Sequence, residues 1–197
     1  MTKKEYKEIR DREKKLFFKT CPAGQKPVLS ILRVHLLTEY YLERIIAIKL
    51  PRGDRLLEDG GLSYAQKIAL VDSFSIVEDS LIAALRGLNK VRNRFSHEFN
   101  KAIDASDIDV VGRPFGVEYT KIKREYGQNL REMLHFVLIT IGARLAGWTN
   151  HLEEIAVKDA KAEKKTKRTG TVEPTSIAEI NGGGKSIGPK RSEKTSP

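Results

Sequence analysis

One run of the chain, Arg92-Asn93-Arg94-Phe95-Ser96-His97, holds side chains suited to chemistry on a phosphate group. Arginine offers planar N–H donors that match phosphate oxygens. Histidine, with an ordinary pKa of about 6.5, takes or gives a proton near neutral pH. Asparagine can orient the imidazole or hold a phosphate oxygen. The placement of these residues is as telling as their types. Leu81, Leu85, Leu88, Val91 and Phe95 repeat at helical steps and define an apolar stripe. At about 100° per residue, with Leu81 at zero, that stripe covers about 280° to 40° and Arg92 falls at about 20°, inside it. Ser96, Asn89, Asn93 and His97 follow at about 60°, 80°, 120° and 160°, a polar ribbon beside the core. Arg94, at about 220°, faces away and is the weaker phosphate candidate.

An arginine aimed into a core costs several kcal/mol unless it is paired. Three arrangements satisfy Arg92. It can pair with Glu39 or Glu43 on the preceding long helix. It can run its stem along apolar surface and reach the edge of the bundle. Or it can line a groove, for instance at a dimer seam, where an anion such as phosphate binds. Periodicity does not choose among them.

The elements that must position this run are helical. Residues 3–20 form a charged amphipathic segment with Tyr6, Ile9, Leu16 and Phe17 as apolar contacts, and CPAGQKP (21–27) is a loop. Residues 28–50 form a helix with a broad apolar band: Leu32, Leu36 and Tyr40 on one line, Tyr41, Ile45 and Ile48 on another. That breadth predicts a central position in the core. Ser63 with Gln66 three residues on reads as a capping box ahead of Ile68, Leu70 and Val71. Residues 98–117, rich in Asp and Gly, read as a loop. A last long helix is predicted from about 118, through Ile122, Tyr126, Leu130, Leu134, Val137, Ile141, Leu145 and Trp148. No stretch alternates at period two. The expected fold is all-α: an up-down bundle of four main helices with an extra N-terminal helix. The domain plan is 1–27 charged helix and loop, 28–157 bundle, and 158–197 a Lys-rich then Gly/Ser/Pro-rich tail, expected to be disordered.

The formal net charge is +10 over 197 residues, but it is unevenly placed. Residues 1–20 hold eight Lys/Arg against four Asp/Glu, and 158–197 hold ten against five. The body between them is nearly neutral, at eighteen against seventeen. Attraction to a polyanion through counterion release therefore belongs to the ends. The N-terminus lacks the apolar core of a signal peptide, and no apolar run reaches the roughly 18 residues that span a bilayer. A soluble, cytoplasmic protein without membrane contact is expected. The single cysteine, Cys21, leaves no disulfide framework and no cysteine-based zinc site.

Several short matches are decoys. GGGKS (182–186) would need a glycine at 179 to be a phosphate loop, and Glu179 stands there. RGD (52–54) is a loop tripeptide. HEF at 97–99 has Lys101 where a second zinc-binding histidine would fall. His35, His135 and His151 lie in or beside apolar helix and read as structural histidines.

LRGLNKVRNRFSH resembles the signature helix of the HEPN superfamily, an arginine followed by a polar residue and, a few residues on, a histidine: here Arg92, Asn93 and His97. HLLTEYYLERIIAIKL, SYAQKIALV and ALRGLNKVRNRFSH come in the order of the mannitol operon repressor-like branch, and the resemblance covers about residues 28–150. It implies a helical bundle that usually dimerises, two Arg/His ribbons meeting at a composite cleft. Many members of the superfamily are metal-independent endoribonucleases acting as toxins or in phage defence. Others, toward which this branch leans, bind RNA or partner proteins. The resemblance thus implies Arg92, Asn93 and His97 as catalytic or RNA-binding residues and no cofactor. As partners it implies a second copy, RNA, and an antitoxin or regulatory protein. Direct DNA reading finds no support, for no helix-turn-helix segment with a basic face is present.

Overall fold

The computed structural model describes residues 26–97 and 102–169, together with residues 8, 11, 12, 15, 16, 18–20, 22 and 24. The side chains of His97 and of residues 163–169 lie outside the described set, as do Cys21 and the whole segment 170–197 with its GGGKS. So do Tyr6, Ile9 and Phe17 of the expected N-terminal helix. The described positions between 8 and 20 are helical, and Leu16 packs against the core.

Among the described residues every regular element is helical. They are α1 (Pro27–Lys49), α2 (Gly53–Asp59), α3 (Tyr64–Ser73), α4 (Asp79–His97), α5 (Ala105–Gly112), α6 (Val117–Tyr126) and α7 (Leu130–Thr169), with a 3₁₀ turn at Arg113–Phe115. One hydrophobic core joins them.

α1 starts with proline in its first turn, where the missing N–H is not needed. Its buried face is Ile31, Val34, Leu37, Tyr41, Leu42, Ile45 and Ile46. The first line of the expected apolar band is a correction: Leu32, Leu36 and Tyr40 are 37%, 64% and 47% exposed. At about 100° per residue a line of period four drifts by about 40° per step. The neighbours of α1 cover one side of the broad band and leave the other bare. α1 and α7 lie side by side and run in the same direction. Ser30 shares a small cavity with Leu134 and His135, and Arg44 Nε donates to Glu153 Oε1 at 2.9 Å.

α3 begins with the predicted capping box. Gln66 N–H donates to Ser63 Oγ, and Ser63 N–H donates to Gln66 Oε1 at 2.9 Å. On α4 the predicted stripe is buried at Leu81, Leu85, Leu88 and Val91, with Phe95 half-buried. Gly87 lets α5 cross close by, since a Cβ there would meet the Val110 carbonyl at 2.6 Å.

Two expectations fail between 98 and 130. The segment read as a loop contains α5, closed by a reciprocal cap. Asp107 N–H donates to Asp104 Oδ1 at 3.0 Å, and Asp104 N–H donates to Asp107 Oδ2 at 3.2 Å. Ile108 and Val111 then enter the core. The last helix is also not continuous from 118. α6 ends at Tyr126, and Asn129 Oδ1 accepts the backbone N–H groups of Arg131 and Glu132 to start α7. Tyr126 and Leu130 both touch the core on either side of the break, so the apolar spacing conceals it. α7 runs on to Thr169, past the point where the composition turns polar.

Arg144 ties three elements together. It donates to Glu78 Oε1 at 2.7 Å, also pairs with Glu118, and lies over the Phe115 ring.

Candidate functional site

α4 holds Arg92 and Asn93 where the helical wheel places them. Arg92 is half-buried and Asn93 exposed. Arg92 Nη1 donates to Asn93 Oδ1 at 3.1 Å, and Ser96 Oγ donates to the Arg92 carbonyl. Arg92 Nε is buried with no hydrogen-bond partner. The backbone of His97 forms the last described residue of α4, but its side chain lies outside the described residues. The structure thus brings Arg92 and Asn93 together and leaves the third motif residue open.

The glutamates named in the first of the three arrangements for Arg92 are engaged elsewhere. Lys67 Nζ on α3 donates to Glu39 Oε1 at 2.7 Å and to Glu43 Oε1 at 2.6 Å. Lys67 is itself a buried residue, so this three-membered group fastens α3 to α1. No described carboxylate lies at ion-pair distance from Arg92. The exposed part of a half-buried guanidinium, with amides at its side, has the donor chemistry that suits an oxyanion.

Arg94 provides the contrast. It pairs with Asp107, which is 1% exposed, and thereby locks α4 to α5. Its orientation away from the ribbon was legible from the wheel; its partner was not.

Sequence reasoning assigned His35 a structural role and did not connect it to the ribbon. The residue is buried and its ring stacks on Tyr64 with centroids 3.8 Å apart. His35 Nε2 also lies 3.4 Å from Asn89 Oδ1, one turn before Asn93. Burial lowers the His35 pKa from its ordinary value, and the charges of Arg92 and Lys67 push the same way. The Asn89 hydrogen bond and Glu39 oppose the shift. The signal available beforehand was slight: a histidine between two core positions of α1, opposite an asparagine.

The other histidines are apart from this group. His135 lines the small cavity beside Ser30, and burial lowers its pKa. His151 lines an open groove of about 350 Å³ with Glu78, Arg144, Gly147 and Trp148, which contains no ribbon residue. Among the described residues no three His, Cys, Asp or Glu side chains converge, and no metal centre is assigned.

The described residues form an all-α bundle in which Arg92 lies within the apolar stripe of α4, beside the exposed Asn93. None of the described helices is long and apolar enough to cross a membrane. Comparisons with protein-family models, with curated proteins and with solved structures each return no match.

Proposed function

We propose that the chain is a HEPN-type RNA-binding protein in which Arg92 clamps a backbone phosphate and His97 acts there as general acid or base. The observation that carries this reading is the state of Arg92. It donates to the neutral Asn93 Oδ1 and has no described carboxylate partner, while Glu39 and Glu43 pair with Lys67.

The reaction open to this set is metal-independent cleavage of RNA by its own 2′-hydroxyl. The 2′-oxygen bonds to phosphorus as the bond to the 5′-oxygen breaks, leaving a 2′,3′-cyclic phosphate and a 5′-hydroxyl. One proton leaves the 2′-hydroxyl and one is delivered to the 5′-oxygen. A single imidazole serves one of these transfers at a time, so the HEPN reading places a second copy's ribbon opposite the first. Arg92 would stabilise the charge that gathers on the phosphoryl oxygens, a contribution worth about 100-fold or more in rate. Asn93 would hold a phosphate oxygen or orient the imidazole of His97.

The test is cleavage of a labelled RNA pool in EDTA by wild type, His97→Ala and Arg92→Ala at matched circular dichroism and oligomeric state. Cleavage by wild type alone, with cyclic phosphate ends, supports the endoribonuclease. RNA binding without cleavage, lost in Arg92→Ala, supports the binding protein and removes the catalytic role of His97.

A second reading is favoured by a different observation. The exposed line Leu32, Leu36 and Tyr40 on α1 is an apolar surface without a described cover. It suits a non-catalytic, mannitol operon repressor-like module that binds a regulatory protein, an antitoxin or a second copy. Under that reading wild type neither binds nor cuts RNA, and changes along the line alter assembly instead.

A further inference from the structure

The polar cluster around Arg92 extends beyond the motif helix. Asn89, Arg92 and Asn93 stand at helical spacing on one side of α4. Across from them on α1, His35 meets Asn89. Hydrogen-bond direction decides what this group presents. A guanidinium only donates, so Asn93 turns its oxygen to Arg92 and keeps its NH₂ group free for another acceptor. A His35 imidazole carrying its proton on Nε2 holds Asn89 in the same way, by its oxygen, and leaves the Asn89 NH₂ group free. With the proton on His35 Nε2, the amide groups that Asn89 and Asn93 leave open are donors, and the Glu39 and Glu43 carboxylates are engaged by Lys67.

We infer that His35 belongs to the same oxyanion site as Arg92, as a positioning residue that holds Asn89 with its amide N–H groups turned toward one bound phosphate group. This inference rests on the phosphate-binding reading of Arg92 and extends that site from α4 onto α1. It also links the site to a titratable group. His35 faces Arg92 from α4, Lys67 and Tyr64 from α3, and Glu39 on its own helix. An oxyanion on Arg92 offsets the guanidinium charge that opposes protonation of His35. Bound anion therefore raises the pH at which this histidine titrates.

The experiment is an NMR titration of the imidazole resonances across pH on the full chain, with His35 assigned through His35→Gln. The probes are inorganic sulfate, a tetrahedral oxyanion of constant charge across the titration, and then a short single-stranded RNA, with ionic strength matched by chloride. Wild type and Arg92→Ala are compared. The expected result is that both probes raise the His35 pKa and shift the Asn89 side-chain amide in wild type, and do neither in Arg92→Ala. His35→Leu should weaken sulfate binding about tenfold, whereas His35→Gln, which can still donate to Asn89, stays closer to wild type.

If Arg92 and Asn93 resonances move while the His35 titration does not, and His35→Leu binds like wild type, His35 is a core residue only and the RNA reading survives. If sulfate moves His35 but RNA does not bind, the oxyanion site stands and the RNA reading falls. If neither probe moves any of these resonances, both fall. Should His35→Leu not fold, the wild-type titration against Arg92→Ala decides alone.

Discussion

Arg92 and Arg94 stand two residues apart on α4 and live in opposite electrostatic conditions. Arg94 is paired with the buried carboxylate of Asp107 and joins two helices. Arg92, on the other side, has a neutral amide for a partner and no described carboxylate, while the Nε of each arginine is buried without a partner. The same contrast recurs across the molecule. Lys67 satisfies two glutamates, Arg144 satisfies two more, and Asp109 takes hydrogen bonds from Tyr119, Lys123 and Arg113. Ion-paired clusters hold helices together; Arg92 stands outside them, with an amide and no described carboxylate as its partner. The lesson is that an arginine's partner, more than its position in a stripe, separates structure from recognition.

Removing Arg94 and removing Arg92 should have the most unequal effects on stability. Arg94→Ala leaves the Asp107 carboxylate buried and unpaired, and urea denaturation should show a loss of about 3 kcal/mol. Arg92→Ala removes an unsatisfied group and should stay within about 1 kcal/mol of wild type. Equal losses would mean that Arg92 is as structural as its neighbour.

Acid titration tests a saturated cluster. Tyr119 first, with Lys123 and Arg113, lowers the Asp109 pKa from 3.8 to about 2 against the opposing effect of burial. A folded-state value below the ordinary one means that this stabilisation is complete above about pH 4 and is lost as pH falls through 2. Asp109→Asn should flatten that part of the stability curve; an unchanged acid limb would remove Asp109 from the account.

Lys67→Met sharpens the contrast in the other direction. It releases Glu43 and also Glu39, whose charge acts on His35, and so supplies an anion that competes with a bound phosphate. Oligonucleotide affinity, read by fluorescence anisotropy, should weaken about tenfold, with helix content unchanged. Undiminished affinity would place the phosphate elsewhere.

The smallest effect on stability is expected on the bare face of α1. Leu36 is 64% exposed, so Leu36→Glu should change the stability of a single chain by no more than about 0.5 kcal/mol. Ultracentrifugation distinguishes the two function readings here: a shift in assembly favours the interaction module, and an unchanged state removes this line from any interface.

Much of the scaffold was readable along the chain because its signals are local. The α4 stripe and the Ser63–Gln66 box are set by neighbours within a turn, and both stand as read. The Asp104–Asp107 cap was overlooked because its closing residue is aspartate instead of glutamate or glutamine, amid residues that resemble a loop. The break at Asn129 was hidden because both flanks supply core residues. On α1 the apolar band was visible, but its bare edge was not, since exposure depends on which helices lie beside it.

The α4 stripe, the Ser63–Gln66 cap and the placement of Arg92 among apolar residues follow from the chain alone, because a helix places neighbours at spacings that the chain dictates. Only the tertiary structure decided that Lys67 and not Arg92 takes Glu39 and Glu43, that Asp107 takes Arg94, and that His35 meets Asn89. These contacts join different helices, and at a few ångströms' range the outcome turns on how those helices cross, which no local spacing encodes.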